Sequence, residues 1–106
     1  MSLENNKDID VIQLKERLES GDTFLFLDVR EPHEYADANL KALNIPLGSI
    51  LERIEEIEDH KEKEVIIHCR SGQRSGVAKD LLIKSGFQNV RNVQGGILHW
   101  AEKFGL

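Results

Sequence analysis

The chain has 106 residues, of which 40% are apolar and 31% charged, and its net charge is -5 at neutral pH. These values fit one globular domain, which we expect over residues 9–106 after an N-terminal tail of residues 1–8. Met1–Leu3 is set aside as a remnant of expression. No apolar run approaches the roughly 20 residues of a membrane helix, and the acidic balance argues against nucleic acid or an anionic membrane as a partner.

Cysteine usage narrows the chemistry further. The single cysteine, Cys69, excludes an internal disulfide, a tetrathiolate metal site and a resolving cysteine within the chain. A lone free thiol is typical of a reducing compartment, and residues 1–10 lack the pattern of a signal peptide, so we expect a cytoplasmic protein. The histidines show no ligand spacing, and we therefore predict no metal and no other cofactor.

Short apolar runs alternate with segments of helical period along the chain. The predicted elements, in order, are a brief edge strand at Ile9–Val11, a helix over Val11–Glu19, a strand over Thr23–Val29, a short helix from Glu31, a strand over Leu43–Ile45, a helix from Ser49, a strand over Val65–Cys69, a helix over Arg74–Ser85, a strand over Asn89–Val93 and a helix after Gly95-Gly96. This alternation predicts an α/β fold with a mainly parallel sheet of about five strands.

Apolar spacing also predicts which face of each helix is buried. The helix from Ser49 should open with a capping box of Ser49 and Glu52, and Gly95-Gly96 should allow close approach at the start of the last helix. The expected buried residues are Ile50, Leu51, Ile54 and Ile57 in the helix from Ser49, Val77, Ala78, Leu81 and Leu82 in the helix that ends before Gly86, and Ile97 and Trp100 in the last helix.

The segment Glu64–Lys79 carries the reactive residue of the chain. It predicts a buried strand ending at Cys69, a polar turn containing Gly72, and a helix beginning near Arg74. Main-chain N–H groups of such a turn, and those left unpaired at a helix start, point toward its centre. With Arg70 and Arg74 they predict a cradle for the Cys69 thiolate, whose pKa should lie below the usual value of about 8.5.

Two chemistries suit a thiolate held by amides: hydrolysis of phosphate esters and transfer of sulfane sulfur. Cysteine phosphatases place one more residue between Cys and Arg than the four that separate Cys69 from Arg74, and the shorter loop suits a single sulfur atom. Cleavage of a phosphate ester also needs a general acid, for which the sequence offers no obvious residue. Thiosulfate releases sulfite, a stable anion, without such help, so the sequence favours sulfur transfer.

Motifs in a fixed order give the chain its resemblance to the rhodanese family, over nearly the whole domain. They are Leu27–Pro32 followed by Glu34-Tyr35, then Asn44–Leu47, then Cys69–Ser75, which resembles Cys-x-x-Gly-x-Arg-Ser/Thr, and finally Gly95–Trp100. The resemblance to single-domain rhodaneses implies a three-layer α/β/α fold. It also implies a thiosulfate sulfurtransferase that carries sulfur as a persulfide.

Carried over by position, the resemblance makes Cys69 the catalytic nucleophile. The loop that would cradle its sulfur consists of Arg70, Ser71, Gly72, Gln73, Arg74 and Ser75. Arg70 and Arg74 are the candidates for attracting the donor. The implied partners are a small anionic sulfur donor, a cyanide or thiol acceptor, and a sulfur-relay protein.

Other residues at the same sheet edge are given supporting roles. Asp28 is expected to cap or bond a neighbouring loop and Arg30 to pair with Glu34, with contact between Arg30 and substrate as the alternative. His68 should face away from the thiol because successive strand residues point to opposite faces. The segment Ala38–Leu43 departs from the family's Gly-His-Ile-x-Gly-Ala turn, since it lacks the histidine and both glycines and is one residue shorter.

Alternative functions stay open at this point. A phosphatase or arsenate reductase on the same fold is disfavoured by the Cys-to-Arg spacing and by the lack of a second cysteine. A non-enzymatic sulfur carrier, loaded by a partner such as a cysteine desulfurase, would need the same loop. A rhodanese-like interaction module without chemistry is disfavoured because the cysteine loop is intact.

Overall fold

The computed structural model describes residues 3–106, in which strands and helices alternate. The elements are α1 (Val11–Glu19), β1 (Leu25–Asp28), α2 (Pro32–Asp37), β2 (Leu43–Asn44), β3 (Glu64–His68), α3 (Gln73–Lys84), β4 (Asn89–Asn92) and α4 (Gly96–Phe104), with 3₁₀ segments at Leu47–Ser49 and Ile54–His60. Within residues 3–106, no helix is long and apolar enough to cross a membrane.

The strands form one parallel sheet in the order β2-β1-β3-β4. The predicted α/β class and parallel sheet are confirmed, but the described sheet has four strands and not about five. The edge strand expected at Ile9–Val11 is wrong, because Ile9 forms only an isolated bridge to Val93. Asp10 caps the start of α1 in a capping box with Gln13, and the chain turns into the helix before a strand can extend.

Apolar clusters lie on both faces of the sheet. Alternation along β3 places Ile67 and Cys69 in the larger cluster, under Ala78 and Leu82 of α3, and places Ile66 in the smaller one. The smaller cluster is closed by side chains of α1 and α4. The result is the three-layer α/β/α arrangement that the family resemblance implies.

The segment that follows Ser49 differs from its prediction. It forms a turn and the 3₁₀ segment Ile54–His60, and no capping box or continuous α-helix is present there. Ile50 and Ile57 are buried as expected, whereas Leu51 is 58% exposed. A 3₁₀ segment has three residues per turn, so an apolar stripe deduced from the α-helical period does not stay on one face.

Only part of the predicted stripe of α3 reaches the core. Ala78 and Leu82 are buried, but Val77 is 52% exposed. These two buried residues are four apart, and a helix lying flat on a sheet buries a narrower stripe than the sequence pattern indicates. The helix ends as predicted, with Gly86 in the left-handed region at a φ of +100°.

The segment Ala38–Leu43, which lacks the family's glycines, forms a turn that is stabilised by side-chain hydrogen bonds. Lys41 has a φ of +67°, a left-handed conformation that costs about 1–2 kcal/mol outside glycine. Asn39 Oδ1 accepts from Lys41 N at 2.9 Å, and Asn39 Nδ2 donates to Tyr35 O at 3.1 Å. Tyr35 Oη donates to Ala42 O at 2.7 Å. These bonds stabilise a backbone conformation that glycine would adopt without them.

The residues before α1 cover the outer edge of β4. Asn6 Oδ1 accepts from Val90 N, and Asp8 Oδ1 accepts from Asn92 N, each at 2.8 Å. Arg91 is buried beneath this segment and donates to two of its main-chain carbonyls at 2.8 Å. The unpaired edge of the sheet is thereby satisfied within the chain.

Helix α4 begins in direct contact with the residues that follow β3. Ile97 N donates to Cys69 O and Leu98 N to Arg70 O, both at 3.0 Å. Gly96 has a φ of +59°, and a Cβ at this position would lie 2.5 Å from both carbonyl oxygens. A glycine is therefore required for the close approach that the sequence predicted at Gly95-Gly96.

We expect Gly96→Ala to lower the free energy of unfolding by about 1–3 kcal/mol, because the added methyl group would force α4 away from the Cys69 loop. Gly48→Ala is the matched control. No heavy atom lies within 4 Å of a Cβ there, so its effect should stay within about 0.5 kcal/mol. Urea denaturation followed by circular dichroism measures both changes, and equal stabilities of the two variants would contradict the role given to Gly96.

Candidate active site

Cys69 directly follows β3, at the carboxyl edge of the parallel sheet where sites of such folds form. The residue is 1% exposed and packs against the larger apolar cluster. Its sulfur nevertheless has polar partners: Gly72 N donates to Sγ at 3.1 Å, and Ser75 Oγ lies 3.3 Å from Sγ. The thiol is thus enclosed by the loop from Arg70 to Ser75 and not by apolar groups alone.

The turn is made possible by Gly72. Its φ of +104° lies in the left-handed region, which glycine adopts without strain, and α3 begins at the next residue. The main-chain N–H groups of Ser71 and Ser75 also help to lower the pKa of the thiol. Ser71 and Gln73 turn their side chains outward and are exposed. Of the predicted ring of amides, the N–H of Gly72 hydrogen-bonds the sulfur.

Burial is the largest single influence on the pKa of the Cys69 thiol, and it raises that pKa. Hydrogen bonds from the Ser75 hydroxyl and from the main-chain N–H groups of Ser75, Gly72 and Ser71 lower it. Together these donors outweigh burial, so the pKa of Cys69 lies below its usual value. The predicted direction is correct, but the main cause of the lowering is the loop's hydrogen bonds and not the charge of the arginines.

Arg74 is held by a carboxylate across the loop. Its Nη1 and Nη2 donate to Oε1 and Oε2 of Glu34 at 2.6 and 2.8 Å, which joins α3 to α2. The hydrogen bond from Arg74 lowers the pKa of Glu34 to about 2, so the pair stays ionised down to strongly acidic pH. Both terminal nitrogens of Arg74 are therefore engaged.

The predicted ion pair between Arg30 and the carboxylate of Glu34 is not formed, although Arg30 Nη1 donates to the main-chain carbonyl of Glu34 at 3.3 Å. The Arg30 side chain turns back onto Asp28, with Nε 3.1 and 3.0 Å from the two carboxylate oxygens and Nη2 2.7 Å from Oδ2. The guanidinium also donates to the carbonyl of Ala38 at 2.8 Å. Asp28 is fully buried, and a buried carboxylate is strongly destabilised without a charged partner. Arg30 therefore pairs with Asp28, and Glu34 pairs with Arg74. Asp28 accordingly bonds its own strand-end loop and not a neighbouring one.

Arg70 differs from the other arginines of the site in being exposed. It lines a cavity of about 250 Å³ together with Arg30, Glu34 and the apolar side chains Ile97 and Leu98. This cavity therefore adjoins the Cys69 loop and has both charged and apolar walls. Among the predicted site residues, Arg70 is the cation best placed to meet a molecule arriving from solvent.

His68 lies on the face opposite the thiol, as predicted. The residue is fully buried, and its ring centroid lies 5.3 Å from that of Phe26. Nδ1 is 3.3 Å from Cys69 O, and Nε2 is 3.6 Å from Asp28 Oδ2. Burial lowers the pKa of His68, so the ring is neutral at neutral pH. His68 packs in the core and does not act as a base toward Cys69.

Asn92, the last residue of β4, belongs to the site although the sequence analysis did not select it. Its Nδ2 donates to Gly72 O at 3.0 Å, and its Oδ1 accepts from Ser75 Oγ at 2.6 Å. The available signal was a polar side chain at the carboxyl end of a predicted strand, at the same edge as Cys69. The side chain links β4 to both ends of the sulfur-binding turn.

Comparison with known proteins covers most of the chain. The Rhodanese-like domain family matches residues 10–103. A sulfurtransferase of Allochromatium vinosum is 39% identical over 95 residues, which cover 89% of this chain and 87% of that protein. The tRNA uridine(34) hydroxylase of Photorhabdus laumondii is 32% identical over 96 residues, which cover 86% of this chain but 27% of that enzyme.

The similarity extends to solved structures. The human single-domain sulfurtransferase TSTD1 superposes with a TM-score of 0.80 at 26% identity, over 91% of this chain and 96% of that one. The family match includes β3, the Cys69 loop and α4, so it covers the elements that hold the sulfur. From its sheet, its cysteine loop and its relatives alike, the chain belongs to the rhodanese-like family of sulfurtransferases.

Proposed function

We propose that the protein moves sulfane sulfur from thiosulfate, or a similar anionic donor, to cyanide or a thiol through a persulfide on Cys69. The observation that carries this proposal is the hydrogen bond from Gly72 N to Sγ at 3.1 Å, within a loop whose donors lower the pKa of the thiol. A thiolate formed in this way is a nucleophile without a neighbouring base, in keeping with the position of His68 on the opposite face.

The proposed reaction has two halves. The Cys69 thiolate attacks the outer sulfur of thiosulfate; a new S–S bond forms, the donor's S–S bond breaks, and sulfite leaves with the electron pair. The acceptor then attacks the outer sulfur of the persulfide, and Cys69 departs as a thiolate. Both halves place negative charge on sulfur within the loop, where the Gly72 N–H and the Ser75 hydroxyl stabilise it.

The route to the sulfur passes the loop. Because Cys69 is 1% exposed, we propose that local movement around the loop opens Sγ to the donor. The cavity beside Arg70 is the place we assign to the arriving donor or acceptor. Arg70 is exposed, whereas the charge of Arg74 is compensated by Glu34, so Arg70 is the residue we propose to attract the anion.

The arrangement of Arg74 argues against phosphate chemistry. An arginine at the end of a phosphate-binding loop would present two N–H groups to two phosphate oxygens. Here both terminal nitrogens of Arg74 bond Glu34 at 2.6 and 2.8 Å. A sulfur carrier loaded by a partner protein would use the same persulfide, and it differs from our proposal only in the donor. Either role suits a reducing compartment such as the cytoplasm.

Treatment with thiosulfate should add the mass of one sulfur atom to the wild-type protein, because the enclosed thiolate retains the outer sulfur. Intact-protein mass spectrometry measures the gain, and cyanide should then remove it with release of thiocyanate. Cys69→Ser is the matched control and should gain nothing.

If the wild-type protein gains no sulfur from thiosulfate, the assignment of thiosulfate as the donor is wrong. If it then took sulfur from a desulfurase persulfide, the carrier function would replace our proposal. If the wild-type protein hydrolyses an aryl phosphate and Cys69→Ser does not, the protein is instead a phosphatase.

Arg70→Ala should raise the apparent KM for thiosulfate roughly three- to tenfold, because one exposed cation near the site is lost. Stability should be unchanged, since the side chain is exposed. Lys63→Ala is the matched control: it removes the same charge next to the start of β3, the opposite end of the strand from Cys69, where salt screens it from the site. Steady-state kinetics at low ionic strength test the pair, and equal KM values for the two variants would remove Arg70 from this role.

A further inference from the structure

We propose that Asn92 is a positioning residue for sulfur transfer: its amide fixes the sulfur-binding turn and shares the proton of the Ser75 hydroxyl with Cys69. The hydroxyl bonds Asn92 when Cys69 is a thiol and bonds Sγ when Cys69 is a thiolate. The inference deepens the proposed function, on which it rests in taking Cys69 as the reacting group.

The orientation of the Asn92 amide follows from its neighbours. Gly72 O can only accept a hydrogen bond, and the amide atom 3.0 Å from it must therefore be the nitrogen. Oδ1 then faces Ser75 Oγ at 2.6 Å. Because Oδ1 can only accept, the Ser75 hydroxyl donates to it. The same side chain thus anchors the carbonyl of Gly72 and directs the proton of Ser75.

The Ser75 hydroxyl has one proton and two neighbours that can accept it. Oδ1 of Asn92 is 2.6 Å away and Sγ of Cys69 is 3.3 Å away. While Cys69 is protonated, the hydroxyl bonds Asn92, and its oxygen can accept from the thiol. A thiolate has no proton to donate, and its charge attracts the hydroxyl proton more strongly than a neutral amide does.

Ionisation therefore changes the direction of the Ser75 O–H bond. The proton of the thiol leaves to solvent, and the proton of Ser75 remains on its own oxygen throughout. No bond between heavy atoms is made or broken, and nothing is oxidised. The energetic consequence is that formation of the thiolate weakens the bond between Ser75 and Asn92.

Charged groups around the sulfur bear on its titration as well. From α3 and α2 these are Arg74 and its partner Glu34, from the loop Arg70, and from the strand ends Asp28 with its partner Arg30, beside the buried His68. All of them are retained in every variant described below. Differences between variants therefore report on Asn92 and Ser75.

The main chain at Asn92 is held independently of its side chain. Asp8 Oδ1 accepts from Asn92 N at 2.8 Å and from Lys79 Nζ at 2.7 Å. Substitution of the amide should leave this strand end in place.

The first test follows two signals of the donor-free protein against pH. Ultraviolet absorbance reports the Cys69 thiolate, and NMR reports the side-chain amide of Asn92. In the wild type, the Asn92 signals should move with the midpoint of Cys69. In Ser75→Ala, the sulfur should titrate about one pH unit higher, through loss of a charge-assisted hydrogen bond, and the Asn92 signals should stay flat.

Asn92 signals that do not move in the wild type would overturn the proposal. Signals that move equally in Ser75→Ala would also overturn it, because simple proximity to the sulfur would then explain them. This comparison requires no substitution of Asn92 and so stands even where a variant of that residue fails to fold.

The second test replaces the amide. Asn92→Asp should raise the midpoint of Cys69 by about one pH unit, because a carboxylate retains the Ser75 proton and cannot donate to Gly72. Asn89→Asp is the matched control: it adds the same charge at the other end of β4, and its Oδ1 keeps the bond that it accepts from Asn6 N at 3.0 Å. Its shift should stay below about 0.3 pH unit because of screening.

Introduced into Ser75→Ala, Asn92→Asp should shift the midpoint by less than half as much, because Asn92 acts partly through the hydroxyl. An equal shift in both backgrounds would show that the hydroxyl transmits nothing and would overturn the proposal. None of these titrations needs a sulfur donor. A protein that takes no sulfur from thiosulfate would refute the proposed function while leaving the role of Asn92 to be decided here.

Discussion

The hydrogen bond from Gly72 N to the sulfur of Cys69 depends on how the carbonyls of the same turn are occupied. Those of Cys69 and Arg70 accept from the first N–H groups of α4, and that of Gly72 accepts from Asn92 on β4. With these carbonyls bound on the outside, the N–H of Gly72 is directed at the sulfur, 3.1 Å away. Gly96 permits this because a Cβ there would collide with two of the three carbonyls. The anion site is thus built by the elements around the loop as much as by the loop itself.

Most charged side chains near the site form ion pairs with one another and do not contact the sulfur. Asp28 pairs with Arg30, Glu34 pairs with Arg74, and Arg70 is exposed. Desolvation decides the first pair, since a fully buried carboxylate without a cation would be strongly destabilised. The second pair joins α3 to α2 through two hydrogen bonds from Arg74 to Glu34, at 2.6 and 2.8 Å. In the proposed function, attraction of a donor and stabilisation of the thiolate are assigned to different groups: exposed Arg70 for the first, and the Ser75 hydroxyl with main-chain amides for the second.

The features that were predictable are those encoded locally. The bounds of α1, the parallel strands and the turn at Cys69 follow from apolar spacing, capping residues and glycine, and the structure agrees with them. The partners of Arg30 and Arg74 were not predictable, because they depend on distances between elements far apart in the chain. Asn92 was missed for the same reason: its contacts with Gly72 and Ser75 exist only after β4 packs beside β3. The helix predicted after Ser49 was wrong for a different reason: the apolar spacing there fits an α-helix, but the chain forms a 3₁₀ segment.

Opposing influences on the Cys69 pKa suit a group that must both form a thiolate and react. Burial alone would keep the thiol protonated, and hydrogen-bond donors alone would give a thiolate of low pKa. The nucleophilicity of a thiolate falls as its pKa falls, so an attacking thiol performs best when its pKa is near the ambient pH. Because desolvation opposes the donors, the pKa of Cys69 is lowered less than the donors alone would lower it, which favours the nucleophilicity of the thiolate. The enclosure that hides Cys69 from solvent is therefore part of the chemistry, since it counteracts the donors that the same loop supplies.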